Sequence, residues 1–427
     1  MRRLRAFCGV ALALLAAPAA AEAAGTPPGC APASLTGGEW RTYGGDLANS
    51  RNQHDEKVIS AADVPSLTSA WVFSSVQNGG AGDFTGTPIV ADGCMYIAST
   101  RGWVFAVNAD SGKLVWKTKV PYGGGVNSSV AVAERTLPAA KVKAVKRKSK
   151  RCRRGYTRKA GRCVRAKRKP KRKRAKARKS AASKTAGTVY VSVTRTQKFE
   201  SCPPGDPCTG PYVVALDQAT GQVVWSSAPI DGQPGADVYG SPIIYDGALM
   251  IGVSGGAAEL GDEADRIVFQ GSFNFLDAST GAVLKKTWTI HPPKQPDDLF
   301  AGGAIWSTPA IDTEDKVAFV GAGNPFKPQA EHAHTNAVLK FDVDRRSAKF
   351  GEIIGSYKGV IDEYAPGFSE LPCFDIPGNP PPYYPQGLGS CGDIDMDFGA
   401  SPNLFRDASG RKLVGAGQKS GIYHVFD

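Results

Sequence analysis

The chain has 427 residues, of which 42% are hydrophobic and 21% charged, with 50 glycines and a formal charge of +13. That charge hides two opposite parts. Residues 141–184 hold 24 Lys/Arg and no Asp or Glu, which leaves 28 basic against 39 acidic residues, or −11, elsewhere. A protein that is basic throughout is therefore excluded: this is an acidic globular chain with one cationic insert, whose like charges repel and keep it extended.

At the N-terminus, Arg2, Arg3 and Arg5 precede an apolar run from Ala6 to Ala17, and Ala21-Glu22-Ala23 offers a small-x-small cleavage site. Residues 1–23 read as a secretory signal peptide, and no later stretch reaches the roughly 20 apolar residues a membrane span needs. Export makes disulfides chemically accessible. Cys8 leaves with the signal, so eight of the nine cysteines remain. Local pairing is expected for Cys152 with Cys163, Cys202 with Cys208 and Cys373 with Cys391, leaving Cys30 and Cys94, although sequence does not fix connectivity. No CxxC and no CxxCH occurs, which argues against a cysteine metal site and against an attached c-type haem.

Residues 24–37 form a polar, flexible lead-in. From residue 38, short β-rich runs such as TPIVAD, CMYIAS, VFAVNA and KLVWKT alternate with Gly/Asn/Asp turns. A unit recurs: AVNADSGKLVW at 106–116, ALDQATGQVVW at 215–225, NFLDASTGAVLKKTW at 274–288, a decayed KFDVDRRSAKF at 340–350, and YHVFD at 423–427. Such self-similarity marks a repeat architecture. Four strands per unit predict an all-β chain, a β-propeller of four-stranded antiparallel blades over residues 38–427. Blades are expected to begin near Phe84, Asn127, Tyr239, Ile305 and Phe398, after a lead-in around Trp40 and Trp71. About six are present, the last incomplete. Trp116, Trp225 and Trp288 are expected to pack between blades. The Lys/Arg-rich segment, 136–186, is a disordered insertion at the tip of a hairpin formed by 128–134 and 187–193. CRRGYTRKAGRC within it suits a small hairpin. Its chemistry favours anionic cell-wall polymers or lipid headgroups over nucleic acid, since Tyr156 is its single aromatic.

The repeat, the opening WRTYGGDLANSRNQ and the pairs GGAIWSTPAID/VGAGNP and DFGASPNLF/VGAGQKSGIYHVFD resemble the quinoprotein alcohol dehydrogenases, above all their polyvinyl-alcohol dehydrogenase branch. The resemblance covers residues 38–427 except the insert. It implies an eight-bladed propeller that binds pyrroloquinoline quinone (PQQ) and Ca²⁺ and oxidises an alcohol, secondary or polymeric, to a carbonyl. A separate electron acceptor and a secreted, periplasmic or cell-envelope location are also implied. It assigns Trp306 as the ring stacked on the quinone, Ser254 among the cofactor contacts and Lys419 at the quinone oxygens. Glu259 and Asn324 become Ca²⁺ ligands. These residue types suit such a site, because a hard cation takes carboxylate and carbonyl oxygens, and cations near a quinone stabilise charge arriving with hydride.

The chain departs from the family where its catalytic Asp lies in a D-x-W-D loop. The matching piece is Asp362-Glu363-Tyr364-Ala365, with Ala at the expected base and Asp362 the nearest substitute. Thr85 and Ser128 stand where relatives carry Glu and Arg. On the strand reading, Trp306 falls before a first strand while Glu259, Asn324 and Lys419 follow second strands. All four therefore converge on one mouth, and the insert falls at the opposite end. The last unit holds three strands, so the chain reads as truncated. A non-catalytic binding propeller at the cell envelope is the alternative reading.

Overall fold

The structure, a computed structural model, describes residues 28–30, 38–137, 156–159, 162–165, 185–194, 210–233, 235–255, 269–291, 301–326, 332–359 and 396–427. Two units are present, Met1–Arg135 with Ala186–Asp427, and Thr136–Thr185.

In the first unit five sheets follow one another. The first holds β1 (Ile89–Ala91), β2 (Cys94–Ala98), β3 (Trp103–Asn108) and β4 (Leu114–Lys119). The second holds β5 (Ala131–Thr136), β8 (Thr185–Val193), β9 (Tyr212–Asp217) and β10 (Val223–Ser226). The third holds β11 (Ile243–Tyr245), β12 (Ala248–Val253), β13 (Ser272–Asp277) and β14 (Val283–Trp288). In the fourth are β15 (Ala310–Asp312), β16 (Val317–Gly321), β17 (Ala337–Asp342) and β18 (Ile353–Lys358). The fifth has three strands, β19 (Asn403–Arg406), β20 (Lys412–Gly417) and β21 (Tyr423–Phe426). Strands within each sheet follow chain order. The expected pairing of 128–134 with 187–193 is present as neighbours β5 and β8. In the second unit, β6 (Tyr156–Lys159) and β7 (Arg162–Arg165) form an antiparallel hairpin.

First strands begin four or five residues later than the sequence suggests, at Ile89, Ala131, Ile243, Ala310 and Asn403. The skipped residues bond to other sheets instead of their own, as Ile305 N–H does to Val253 O (3.0 Å) at the end of β12. Middle strands are buried on both faces: β12 is buried at all six positions, whereas β14 is buried at none. Apolar contact lies between neighbouring sheets. Phe273 of the third packs on Phe341 of the fourth with ring centroids 4.7 Å apart. Burial of such large rings is the main driving force here.

The recurring turn explains its own residues. Asp217 Oδ1 accepts from Thr220 N–H (3.1 Å) and Thr220 Oγ1 (2.9 Å), and Asn108 does the same for Ser111 in the first copy. Gly112, Gly221 and Gly281 have φ of 68°, 69° and 74°. Each also lies flat against an indole from the preceding repeat, where a Cβ would sit 2.6–2.7 Å from a ring atom of Trp71, Trp116 or Trp225. Glycine thus meets two demands at once, left-handed backbone and close approach. The indole N–H groups then donate to Ala109 O (3.0 Å), Gln218 O (3.0 Å) and Ala278 O (3.3 Å).

Trp288 departs from that pattern. It lies seven residues after its glycine rather than four, and the equivalent place is taken by Lys285, whose stem lies against Gly351. Trp288 instead carries Lys286 Nζ 4.0 Å above its ring.

The lead-in around Trp40 and Trp71 makes no sheet of its own. Trp40 N–H and C=O bond Val90, and Arg41 O accepts from Val132 N–H (3.0 Å). Leu47 O accepts from Ile311 N–H (2.6 Å) and Ala48 O from Leu404 N–H (2.9 Å). Residues 40–49 are therefore a strap laced to the first strands of sheets one, two, four and five. Asn49 is fully buried at φ 54°, and its Nδ2 points to Thr308 O, Pro309 O and Pro402 O at 3.3, 3.2 and 3.0 Å. Cys30 pairs with Cys94, joining a residue ahead of the strap to the start of β2 (Cα–Cα 5.4 Å). The other expected pairs involve residues outside the described ones.

Candidate functional site

In a sheet whose strands run up and down in chain order, the segment before the first strand and the segment after the second lie at the same end. Trp306 and Asp397 precede β15 and β19, while Ser254, Asn324 and Lys419 follow β12, β16 and β20. Five side chains from three sheets thus share one mouth. Backbone bonds lace these segments together: Ile305 N–H to Val253 O, Gly323 N–H to Ala304 O (2.7 Å), and Lys419 N–H to Asp397 O (3.1 Å).

The centre of this group is a residue that sequence reasoning missed. Asp397, only 4% exposed, accepts the Trp306 indole N–H on Oδ2 (2.9 Å) and has Lys419 Nζ 2.9 Å from Oδ1. The same ammonium stands 5.0 Å from the centroid of the Trp306 ring. Gly399 lies against the indole's far edge, where a Cβ would come within 2.1 Å, so the ring's position is set from both sides. A buried carboxylate needs such partners, because desolvation without them is costly. Trp306 and Lys419 are therefore brought together as the sequence suggests, with Asp397 between them.

Asn324 is 2% exposed, and its backbone carbonyl accepts from Gly303 N–H (2.8 Å). Gly323 beside it approaches Asp397, a Cβ there lying 3.2 Å from Oδ2. Ser254 is equally buried and pairs through its backbone with Asp237, while its Oγ finds no hydrogen-bond partner among the described residues. Glu259, Asp362 and Ala365 lie outside the described residues. Thr85 Oγ1 donates to Asn127 O (3.2 Å), and Ser128 Oγ shares a buried bond with Ser192 Oγ (2.7 Å).

The residues fit an anionic quinone in type: an indole face, an ammonium over it, and a buried hydroxyl with no partner among the described residues. For a hard cation the oxygens of Asn324 and Asp397 are suitable donors. No cluster of three His, Cys, Asp or Glu able to hold a metal occurs among the described residues.

Beside Asn324 lies a histidine group that sequence reasoning passed over. His334 Nδ1 meets Thr289 O at 2.6 Å, and the His334 backbone N–H donates to His332 Nδ1 (3.2 Å). Burial, followed by the electrostatic influence of the neighbouring His334, Lys358 and His291, pushes the His332 imidazole below its usual range. A folded-state value below the unfolded one means the unfolded chain binds the proton more readily. Stability should hold above about pH 6.5 and fall as the pH drops below that unfolded value. Urea midpoints across that window should flatten in His332→Asn; an unchanged slope would refute the assignment.

The family model described as "PQQ: Glucose/ethanol/alcohol dehydrogenase, beta-propeller domain" matches residues 40–164. The polyvinylalcohol dehydrogenase of a Pseudomonas species is 25% identical over 401 residues, covering 91% of this chain and 49% of that protein. The quinohemoprotein alcohol dehydrogenase ADH IIB of Pseudomonas putida is 26% identical over 330 residues, covering 73% and 38%. Among solved structures, the quinohemoprotein alcohol dehydrogenase of Comamonas testosteroni superposes with a TM-score of 0.55 at 19% identity, over 93% of this chain and 48% of that one. The chain spans about half the length of the polyvinylalcohol dehydrogenases it matches. These sheets and their order give the chain the propeller fold of the quinohemoprotein alcohol dehydrogenase structure it superposes on, and its sequence is similar to the polyvinyl-alcohol and quinohemoprotein alcohol dehydrogenases.

Proposed function

We propose that this chain is the propeller of a quinoprotein that oxidises an alcohol, secondary or polymeric, to a carbonyl. One observation carries the reading: a buried carboxylate, Asp397, held between an indole N–H and an ammonium at the mouth where the matched segments converge. Trp306 would form the floor under PQQ, with Lys419 and the Ser254 hydroxyl meeting its oxygens. Asn324 and Glu259 would hold Ca²⁺. PQQ, when bound, supplies the two-electron acceptor.

The chain's own residues do the rest. Asp397 takes the proton of the substrate hydroxyl, which makes it the base in preference to Asp362. Lys419 keeps that carboxylate in place and holds positive charge at the point where negative charge develops. Trp306 fixes the carboxylate's second oxygen, so its orientation does not drift. Electrons would pass to a separate acceptor. The test is reconstitution of the full chain with PQQ and Ca²⁺, followed by quinone absorbance and dye reduction with secondary alcohols; absence of both would end this reading.

The remaining assignments rest on sequence. Export is supported by the N-terminal pattern, and a mature N-terminus after Ala23 in the mass spectrum would be its mark. Contact with anionic polymers or lipids is supported by the charge of 141–184. Deleting 141–184 should abolish retention on an anionic matrix at low salt while leaving quinone absorbance intact; retention by the deleted chain would exclude it.

A further inference from the structure

The mouth continues sideways from Trp306 along a row of backbone bonds. Ile305 bonds Val253, and its neighbour Ser254 pairs with Asp237 in both directions (2.8 and 2.9 Å). Val238 O accepts from Thr194 Oγ1 (3.0 Å), and Thr194 pairs with Gly125 in both directions (3.0 and 2.9 Å). Two exposed tyrosines stand on this row. Tyr239 is 40% exposed and hydrogen-bonds the buried Asp237 through its side chain. Tyr122, three residues before Gly125, is 52% exposed.

Tyr122 is held at φ 62°. A residue with a Cβ loses roughly 1–2 kcal/mol in that left-handed conformation. The surrounding sequence, Pro-Tyr-Gly-Gly-Gly, shows that glycine is readily used in this loop, and Gly123 and Gly124 share the positive φ. Burial does not repay the strain, since half of the residue's surface faces water. The loop is nevertheless clamped: Tyr212, 3% exposed, lies edge-on to Tyr122 (6.0 Å between centroids), and its hydroxyl is directed at Pro121 O and Gly123 O (2.9 Å to the latter). A strained, rigid and displayed ring points to a role outside the fold.

We propose that Tyr122 and Tyr239 form a docking track that receives a hydroxylated polymer chain and leads it to the mouth at Trp306 and Asp397. This rests on the alcohol-oxidising reading above and names its substrate class. Tyrosine suits such a chain: its ring covers methylene groups, while its hydroxyl exchanges hydrogen bonds with alcohols. Rigid aromatic platforms also lose little conformational entropy on binding. A short alcohol reaches Asp397 without touching the track; a polymer lies along it.

Binding of poly(vinyl alcohol) to the full-length protein, measured by co-sedimentation without cofactor, tests the track apart from turnover. Tyr122→Gly keeps the left-handed loop and removes the ring, and Tyr122→Asn serves as a second variant that tolerates this backbone. Both, and Tyr239→Ala, should weaken polymer binding about 3- to 10-fold, the range of one aromatic contact, with partial recovery in Tyr122→Phe. In the reconstituted enzyme the KM for polymer should rise by that factor relative to the KM for a short diol. Polymer affinity unchanged in all three variants, or absent in the wild type, overturns the track. Polymer binding without turnover of any alcohol leaves the track standing and overturns the oxidation.

Discussion

Asp397→Asn should lower kcat for alcohol oxidation about 10²–10⁴-fold, the span of general acid–base catalysis by one side chain. The variant keeps shape and volume, and its amide still offers an oxygen to the Trp306 indole. It loses the negative charge facing Lys419 and the ability to take a proton. KM and the quinone absorbance of the reconstituted protein should move much less than kcat, because the floor and the ammonium remain. Asp362→Asn is the companion variant and should retain most of the activity. If Asp362→Asn is the dead one and Asp397→Asn turns over normally, Asp397 is a structural carboxylate and the base lies in the loop around Asp362.

The largest stability effect is expected at Asn49. Asn49→Ala withdraws the one amide that reaches the carbonyls of Thr308, Pro309 and Pro402, leaving buried acceptors unmatched. An unsatisfied buried polar group costs roughly 1–3 kcal/mol, and a left-handed alanine adds about 1–2 kcal/mol. Together these make a loss of roughly 2–5 kcal/mol, a large part of a domain's 5–15 kcal/mol stability. Asn49→Gly separates the two terms, since it removes the amide but accepts the backbone; it should sit about 1 kcal/mol above the alanine variant. Urea denaturation gives both numbers, and an alanine variant within about 1 kcal/mol of wild type would show that the strap is dispensable.

The repeat made much of this architecture legible, because three copies couple a turn glycine to an indole and so set strand order and phase. Phase alone sorted Trp306 and Lys419 to one end. It misled at Trp288, where the indole sits three residues beyond the docking position and a lysine stem fills the gap. Asp397 was invisible for another reason. It lies in the acid-rich run Asp393-Ile-Asp-Met-Asp397, and nothing local distinguishes the carboxylate that becomes buried from those beside it. Only contact with Trp306, 91 residues away, gives it a role. The Cys30–Cys94 pair was equally hidden, since no spacing rule links residues 64 apart.

The strap also bears on the order in which the molecule is completed. Asn49 leaves the ribosome early, yet its three acceptors lie 259, 260 and 353 residues further on. Contacts of such separation form slowly, after nearer pairings have organised the chain. The individual sheets can close as they emerge, whereas the strap waits for the fourth and fifth. Its amide is thus a late lock. A chain interrupted before Pro402 would keep its early sheets but leave their inner ends unbound, open to chaperones and proteases. A contact made this late acts mainly on how fast the finished fold reopens.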